Sequence, residues 1–190
     1  GYAITEEWAS LFKENGFLIG ISLDGNKNQH DRYRVDEKGE GTFLRVIDKL
    51  KILEKYKVDY NALCVVTGNT DPVKAYSSLK REGFSFLQFI PCLDPYEEER
   101  GKREFSLTPE KYSLFLSSTF DLWYRDWKKG KYTSVRLFDD YVHLAMGEAP
   151  SSCSVLGRCG GYIVVEADGS IYPCDFYVTD KWRIGIFSDF

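Results

Sequence analysis

The chain has 190 residues, 43% of them hydrophobic and 28% charged, with a formal net charge of −4. This supports one substantial core, or a core with a small appended module, and excludes the basic stripe of a nucleic-acid binder and a polybasic membrane patch. The longest apolar runs, such as "FLIGI" at 17–21, are too short to span a bilayer. The opening "GYAITEEW" lacks a charged and then apolar leader, so a cytoplasmic location is the expectation. Both ends are abrupt, and a segment of a longer protein is expected.

Taken in chain order, Thr5 is placed to cap a helix over "EEWASLFKEN", with Glu6 and Glu7 at its positive end and Gly16 as its stop. "FLIGISL" (17–23) reads as a buried strand and is followed by a polar loop. Apolar residues at helical spacing, Phe43, Val46, Ile47, Leu50 and Leu53, predict a helix over 42–56. "VDYNALCVV" (58–66) is the next strand. Asp71 and Pro72 open a helix running to Arg81. "FSFLQFI" (84–90) is the third strand. The alternation predicts an α/β fold with a parallel sheet or part of an (α/β) barrel. Functional groups in such sheets gather at the carboxyl ends of strands, here Ser22–Asp24, Thr67–Asn69 and Pro91–Asp94.

Thr108 and Pro109 then open a long helix ending at Lys128, Lys129 and Gly130. Its aromatics Tyr112, Phe115, Trp123 and Trp127 are expected to pack in the core. "SVRLFDDYVHLAMG" (134–147) reads as one more helix, in which His143 is expected to be a packed or surface residue. Near residue 150 the pattern changes to loop, strand, turn, strand, with "ADGS" as the hairpin turn.

The five cysteines form an odd set that argues against a disulfide framework. Cys64 lies in a strand-like run and reads as a small buried residue. Cys92 follows the third strand, and its role is open. Cys153 and Cys159 precede the hairpin, and Cys174 ends it, so the hairpin can bring all three thiols to one place. Converging thiolates bind zinc or an iron–sulfur cluster. Three ligands leave a fourth position open, and three unlinked cysteines around a turn are the plain alternative. Asp175 beside Cys174 is either a turn cap or a proton acceptor.

"GISLDG", "CVVTGNT", "FLQFIPCLDP", "FDLWYRDW" and above all "CGGYIVVEADGSIYPCDFYVTDKWRIG" together resemble the anaerobic sulfatase-maturating enzymes. These are radical S-adenosylmethionine (AdoMet) enzymes with a SPASM domain. The resemblance runs over essentially the whole chain. It implies the second half of a partial (β/α)6 barrel over residues 1–150, followed by the start of the SPASM domain over 151–190. It implies AdoMet and 4Fe-4S clusters as cofactors, with Ser22, Arg34 and Leu93 touching AdoMet. Cys153, Cys159 and Cys174 would hold three corners of an auxiliary cluster. Asp175 would take the substrate proton, with a pKa raised by burial among Tyr172, Phe176 and Tyr177. The implied activity is oxidation of a cysteine or serine side chain of a sulfatase polypeptide to Cα-formylglycine, with a reductant such as flavodoxin or ferredoxin as partner. Another SPASM-type peptide-modifying enzyme and a non-catalytic zinc-binding domain are the alternatives. One departure is large: the family's C-x₃-C-x₂-C motif, which binds the AdoMet-cleaving cluster, is not among these residues.

Overall fold

In a computed structural model of the chain, which describes residues 1–95, 98–159 and 161–189, Thr5 accepts the Trp8 N–H and opens α1 (Glu6–Glu14). Gly160 of the "CGGY" motif, Tyr96 and Glu97 of the loop after the third strand, and Phe190 lie outside the described residues. Two compact units divide the chain, Gly1–Asp139 and Asp140–Phe190.

The larger unit alternates strand and helix. β1 (Leu18–Ser22) leads into a short α2 (Lys27–His30), then α3 (Phe43–Lys55), β2 (Asp59–Val66), α4 (Pro72–Arg81), β3 (Phe86–Pro91) and α5 (Pro109–Lys128). Asp71 and Thr108 each accept a backbone N–H at the first turn of their helix, and a proline follows each cap. The strands lie in the order β1-β2-β3-β4, all parallel, with Ser22 beside Leu63 and Val66 beside Pro91.

β4 (Ser134–Val135) corrects the expected helix over 134–147. Val135 pairs with Leu87 in the sheet and is buried, and α6 (Arg136–Ala145) begins only afterwards. A β-branched valine beside an open sheet edge favours the strand.

Ile21, Leu23, Leu53, Val66, Leu79 and Val135 are fully buried, and the helices pack on them from the apolar faces read in the sequence. Cys64 lies among them, as expected, and burial raises its thiol pKa. Phe115 and Trp123 are buried and Tyr112 packs against the core, but Trp127 is 53% exposed. Spacing of four residues drifts by about 40° per step on a helix of 3.6 residues per turn. Phe115, Thr119 and Trp123 hold the buried stripe, and Trp127 has rotated out to stack on Tyr124.

The smaller unit holds α7 (Cys153–Leu156) and a three-stranded antiparallel sheet of β5 (Val164–Val165), β6 (Ser170–Tyr172) and β7 (Gly185–Ile186). The "ADGS" turn closes as the sequence predicts. Glu166 and Ser170 bond across it, and Gly169 takes the left-handed φ of 83° that the turn requires. β7 is an addition to the expected hairpin. Ile171 and Tyr172 are buried at the centre of this sheet. His143 lies 4.0 Å from Glu148.

Candidate functional sites

The first site is a cavity of about 460 Å³ at the carboxyl ends of β1 and β2 and just past β3. Asp24, Thr67, Asn69 and Cys92 line it, where a parallel sheet places its ligands. At its floor Asp24 is buried and receives the Arg34 guanidinium, Nε to Oδ2 at 2.5 Å and Nη2 to Oδ1 at 3.3 Å. Asp24 Oδ1 also accepts the Val65 N–H at 2.9 Å, which ties the pair to β2. Gln29 lines the same cavity, and its buried Oε1 has no hydrogen-bond partner among the described residues. Burial raises the Cys92 thiol pKa, and the charges of Asp94 and Asp24 add to it. Cys92 is therefore a protonated thiol at neutral pH.

One wall is a strap from the loop after β3. Gly68 donates its N–H to the Phe105 carbonyl, and Asn69 Nδ2 bridges the Glu104 carbonyl and the Tyr33 hydroxyl at 3.0 and 3.2 Å. Gly68 is glycine for want of space, since a Cβ there would stand 2.2 Å from the Ser106 carbonyl oxygen.

Of the residues the sequence nominates for this region, Arg34 lines the cavity. Ser22 is the last residue of β1, facing Leu63 in register, and Leu93 is 57% exposed beyond β3; neither borders the cavity. The sequence reading missed Gln29, Tyr33 and Phe105 as lining residues. It also missed His30, which lies on α2 inside what reads as a solvated loop and is fully buried.

The second site belongs to the smaller unit. Cys153, Cys159 and Cys174 line one cavity of about 400 Å³ with Tyr162, Pro173, Tyr177 and Trp182. Cys153 sits on the first turn of α7, Cys159 follows the left-handed Gly157, and Cys174 follows β6. All three are free thiols. They border one space as the hairpin predicts. Among the described residues no three His, Cys, Asp or Glu side chains are grouped closely enough to hold a metal ion. The start of α7 is pinned by Asp140, a buried acid. It accepts the Ser151 N–H at 2.6 Å, the Ser152 N–H at 3.2 Å and the Ser152 hydroxyl. Burial would raise the Asp140 pKa, but these bonds outweigh it and hold the carboxyl below its ordinary value.

Asp175 departs from its expected environment. It is exposed, as are Phe176 and Tyr177, because the chain turns into a 3₁₀ helix at Asp175–Tyr177. Tyr162 donates its hydroxyl to Asp175 Oδ1 at 2.6 Å, and Cys174 Sγ lies 3.3 Å from the same oxygen. Partial burial would raise its pKa, but the bonds from Tyr162 and Cys174 hold the carboxyl below the ordinary aspartate value. The burial expected to raise the Asp175 pKa is thus not found around its side chain. The Tyr162 phenol is pushed up, chiefly by its bond to Asp175, and is a proton donor at any working pH.

No protein-family profile matches the chain. A cysteine-type anaerobic sulfatase-maturating enzyme of Clostridium novyi is 49% identical over 187 residues, covering 97% of this chain and 50% of its own length. A serine-type anaerobic sulfatase-maturating enzyme of Bacteroides thetaiotaomicron is 31% identical over 201 residues, covering 97% of this chain and 48% of its own. Among solved structures, native anSMEcpe with bound AdoMet and Kp18Cys peptide superposes with a TM-score of 0.91 at 47% identity, over 100% of this chain and 53% of that one. The chain thus spans about half the length of the curated relatives it matches. Over that half, in sequence and in α/β fold alike, the chain belongs to the anaerobic sulfatase-maturating enzymes.

Proposed function

We propose that this chain forms the AdoMet-binding and auxiliary-cluster half of a radical AdoMet oxidoreductase that converts a side chain of a sulfatase polypeptide to Cα-formylglycine. On this reading residues 1–150 are the second half of a partial (β/α)6 barrel, and 151–190 begin the SPASM domain. The observation that carries it is a cavity at parallel strand ends in a fold that superposes at TM-score 0.91 on a neighbour with bound AdoMet. The higher identity to the cysteine-type relative than to the serine-type one, 49% against 31%, favours a cysteine as the oxidised residue.

The residues fit both cofactors. The strand-end cavity offers the outer edge of the Arg34 guanidinium to the carboxylate of a zwitterionic ligand. Ser22, at the end of β1, and Leu93, just past β3, lie outside the lining of this cavity and are proposed as AdoMet contacts on the family resemblance alone. In the smaller unit, Cys153, Cys159 and Cys174 supply three of the four thiolates of a 4Fe-4S cluster. A cluster binds each thiolate to a different iron, so ligands ringing a cavity suit it.

When bound, AdoMet with a reduced cluster would supply the radical chemistry that takes a hydrogen atom from the substrate Cβ. This chain's residues do the rest. Arg34 would orient AdoMet, held by Asp24 so that the cavity floor carries no net charge. Asp175 would accept the thiol proton, and Tyr162 would aim its carboxylate. One hydrogen atom would pass to the AdoMet-derived radical, one proton to Asp175 and one electron to an iron–sulfur cluster, and water would convert the thioaldehyde to the aldehyde with release of hydrogen sulfide. A flavodoxin or ferredoxin is the proposed reductant.

The test uses the full-length protein, purified without oxygen and given AdoMet with a cysteine-containing or a serine-containing sulfatase peptide. Mass spectrometry is expected to show the aldehyde on the cysteine peptide first. A crosslinked or epimerised product with no aldehyde points to another SPASM-type enzyme instead. With Asp175→Asn, product formation is expected to fall by about 10²–10⁴, the usual contribution of a positioned base. An unchanged rate with AdoMet cleavage intact removes Asp175 from this role.

A further inference from the structure

His30 is fully buried beneath the AdoMet-site candidate, yet nothing in the proposed chemistry uses it. Its surroundings define one direction of hydrogen bonding. The Asp24 N–H donates to His30 Nδ1 at 3.2 Å, so Nδ1 carries no proton. His30 Nε2 lies 2.9 Å from Thr42 Oγ1. The Thr42 hydroxyl donates to the Arg34 carbonyl, also at 2.9 Å, so its oxygen is free to accept from Nε2–H. The Arg34 guanidinium then returns to the Asp24 carboxylate. The circuit is closed: Asp24 backbone, His30, Thr42, Arg34 backbone, Arg34 side chain, Asp24 carboxylate. Each donor faces an acceptor in only one imidazole state, the neutral Nε2–H tautomer.

We propose that His30 is a positioning residue for AdoMet binding: as a neutral Nε2–H imidazole it locks, through Thr42, the backbone and hence the guanidinium of Arg34 against Asp24. This rests on the reading of the strand-end cavity as the AdoMet site. Arg34 sits in a loop, and such a side chain ordinarily samples many rotamers. Here it is held at both ends, its carbonyl by Thr42 and its Nε and Nη2 by Asp24, so little ordering remains when a carboxylate-bearing ligand arrives. The charged side chains around the ring are Asp24, Asp31 and Arg34, and the Phe43 ring packs at its edge. Burial outweighs the two carboxylates and keeps the ring's pKa below the ordinary value, in agreement with a neutral ring.

The experiment uses the full-length protein and two readouts. AdoMet binding is measured by calorimetry for wild type, His30→Leu, His30→Gln, Thr42→Val and the double variant His30→Leu/Thr42→Val. Imidazole nitrogen NMR is recorded from pH 5.5 to 8, with the His30 signal assigned by its loss in His30→Gln. We expect an Nε2–H tautomer that does not titrate across this range. His30→Leu and Thr42→Val are each expected to weaken AdoMet at least about tenfold, one buried hydrogen bond's worth. The double variant is expected to lose no more than either one alone. Glutamine, which also accepts at one atom and donates at the other, is expected to restore binding. If His30→Leu binds AdoMet as wild type does, if glutamine fails to rescue a protein that melts normally, or if the ring titrates as an imidazolium, the positioning role is wrong. If wild type itself binds no AdoMet, the cavity reading falls and this role falls with it, a result distinct from the others.

Discussion

The two units support their candidate sites in different ways. The larger one buries a continuous apolar cluster contributed by β1, β2, β3 and the helices α1, α3, α4 and α5, and its cavity is walled by groups whose own hydrogen bonds hold them in place. Among the described residues of the smaller unit, the buried hydrophobic side chains are Ile171 and Tyr172, while Tyr162, Ile163, Phe176, Trp182, Ile184 and Phe187 are exposed. Within these 190 residues the sheet has little core of its own, and the chain spans about half the length of its relatives, so a bound cluster or further packing surface would complete it. Its cysteines are free and ring one cavity. The lesson is that the first site comes with the fold, whereas the second is expected to gain its final geometry from the cluster it binds.

The largest expected effect tests that contrast directly. In the full-length protein, Cys174→Ala is expected to lower bound iron and to abolish hydrogen-exchange protection across residues 161–189. AdoMet binding at the strand-end cavity, whose lining belongs wholly to the larger unit, should change by less than about twofold. Loss of AdoMet binding together with the cluster would make the two sites interdependent and break the comparison. Retained protection over 161–189 without iron would mean that the small sheet needs no staple.

The converse substitution is Leu79→Ala in α4. Leu79 is fully buried in the larger core. Its truncation is expected to cost about 2–5 kcal/mol in urea unfolding of the larger unit. Iron content of the smaller unit should be unaffected in the folded population.

How much of this was legible beforehand follows the same division. Helical spacing from Phe43 to Leu53, the Asp71–Pro72 and Thr108–Pro109 starts, and the apolar runs at 17–23 and 58–66 are local signals, and each became its element. The "ADGS" hairpin was legible for the same reason. Strand-end placement then pointed to Asp24, Thr67, Asn69 and Cys92 at the cavity before any side chain was located. His30 and Asp140 were not legible. Each is a polar residue whose burial is set by partners distant in sequence: Thr42 for His30, and Ser151 and Ser152 for Asp140. No periodicity marks such a residue. The aromatic neighbours of Asp175 in sequence do not enclose it in space, because the 3₁₀ turn carries Phe176 and Tyr177 outward.

Asp140 gives the third expectation. A carboxylate whose folded pKa is depressed adds stability that is present above its unfolded pKa and is lost as pH falls through the folded one. Its ordinary value is 3.8, so the contribution is complete at neutral pH and fades only in acid below that value. Asp140→Asn is expected to destabilise the smaller unit by about 1–3 kcal/mol at pH 7, through unsatisfied serine donors at the start of α7. The gap between variant and wild type should close as the pH is taken below 3.8. A gap that persists unchanged at pH 2–3 would show that shape, not charge, is what Asp140 provides.

Tyr162 makes the smallest and most discriminating change. Its hydroxyl reaches both members of the Cys174–Asp175 pair, 3.4 Å from the sulfur and 2.6 Å from the carboxylate oxygen. It serves either the cluster ligand or the acid. The shorter contact is the charge-assisted one and the stronger by roughly twofold, so it assigns Tyr162 to Asp175. Tyr162→Phe removes a donor to the ionised carboxylate, which raises the Asp175 pKa toward its ordinary value and frees the side chain to rotate. Turnover of the cysteine peptide is expected to fall about three- to tenfold, the equivalent of one modest hydrogen bond. AdoMet affinity and iron content should stay as in wild type. If iron is lost instead, as in Cys174→Ala, Tyr162 belongs to the cluster side of the pair. If neither rate nor iron moves, the carboxylate is oriented by the 3₁₀ backbone alone.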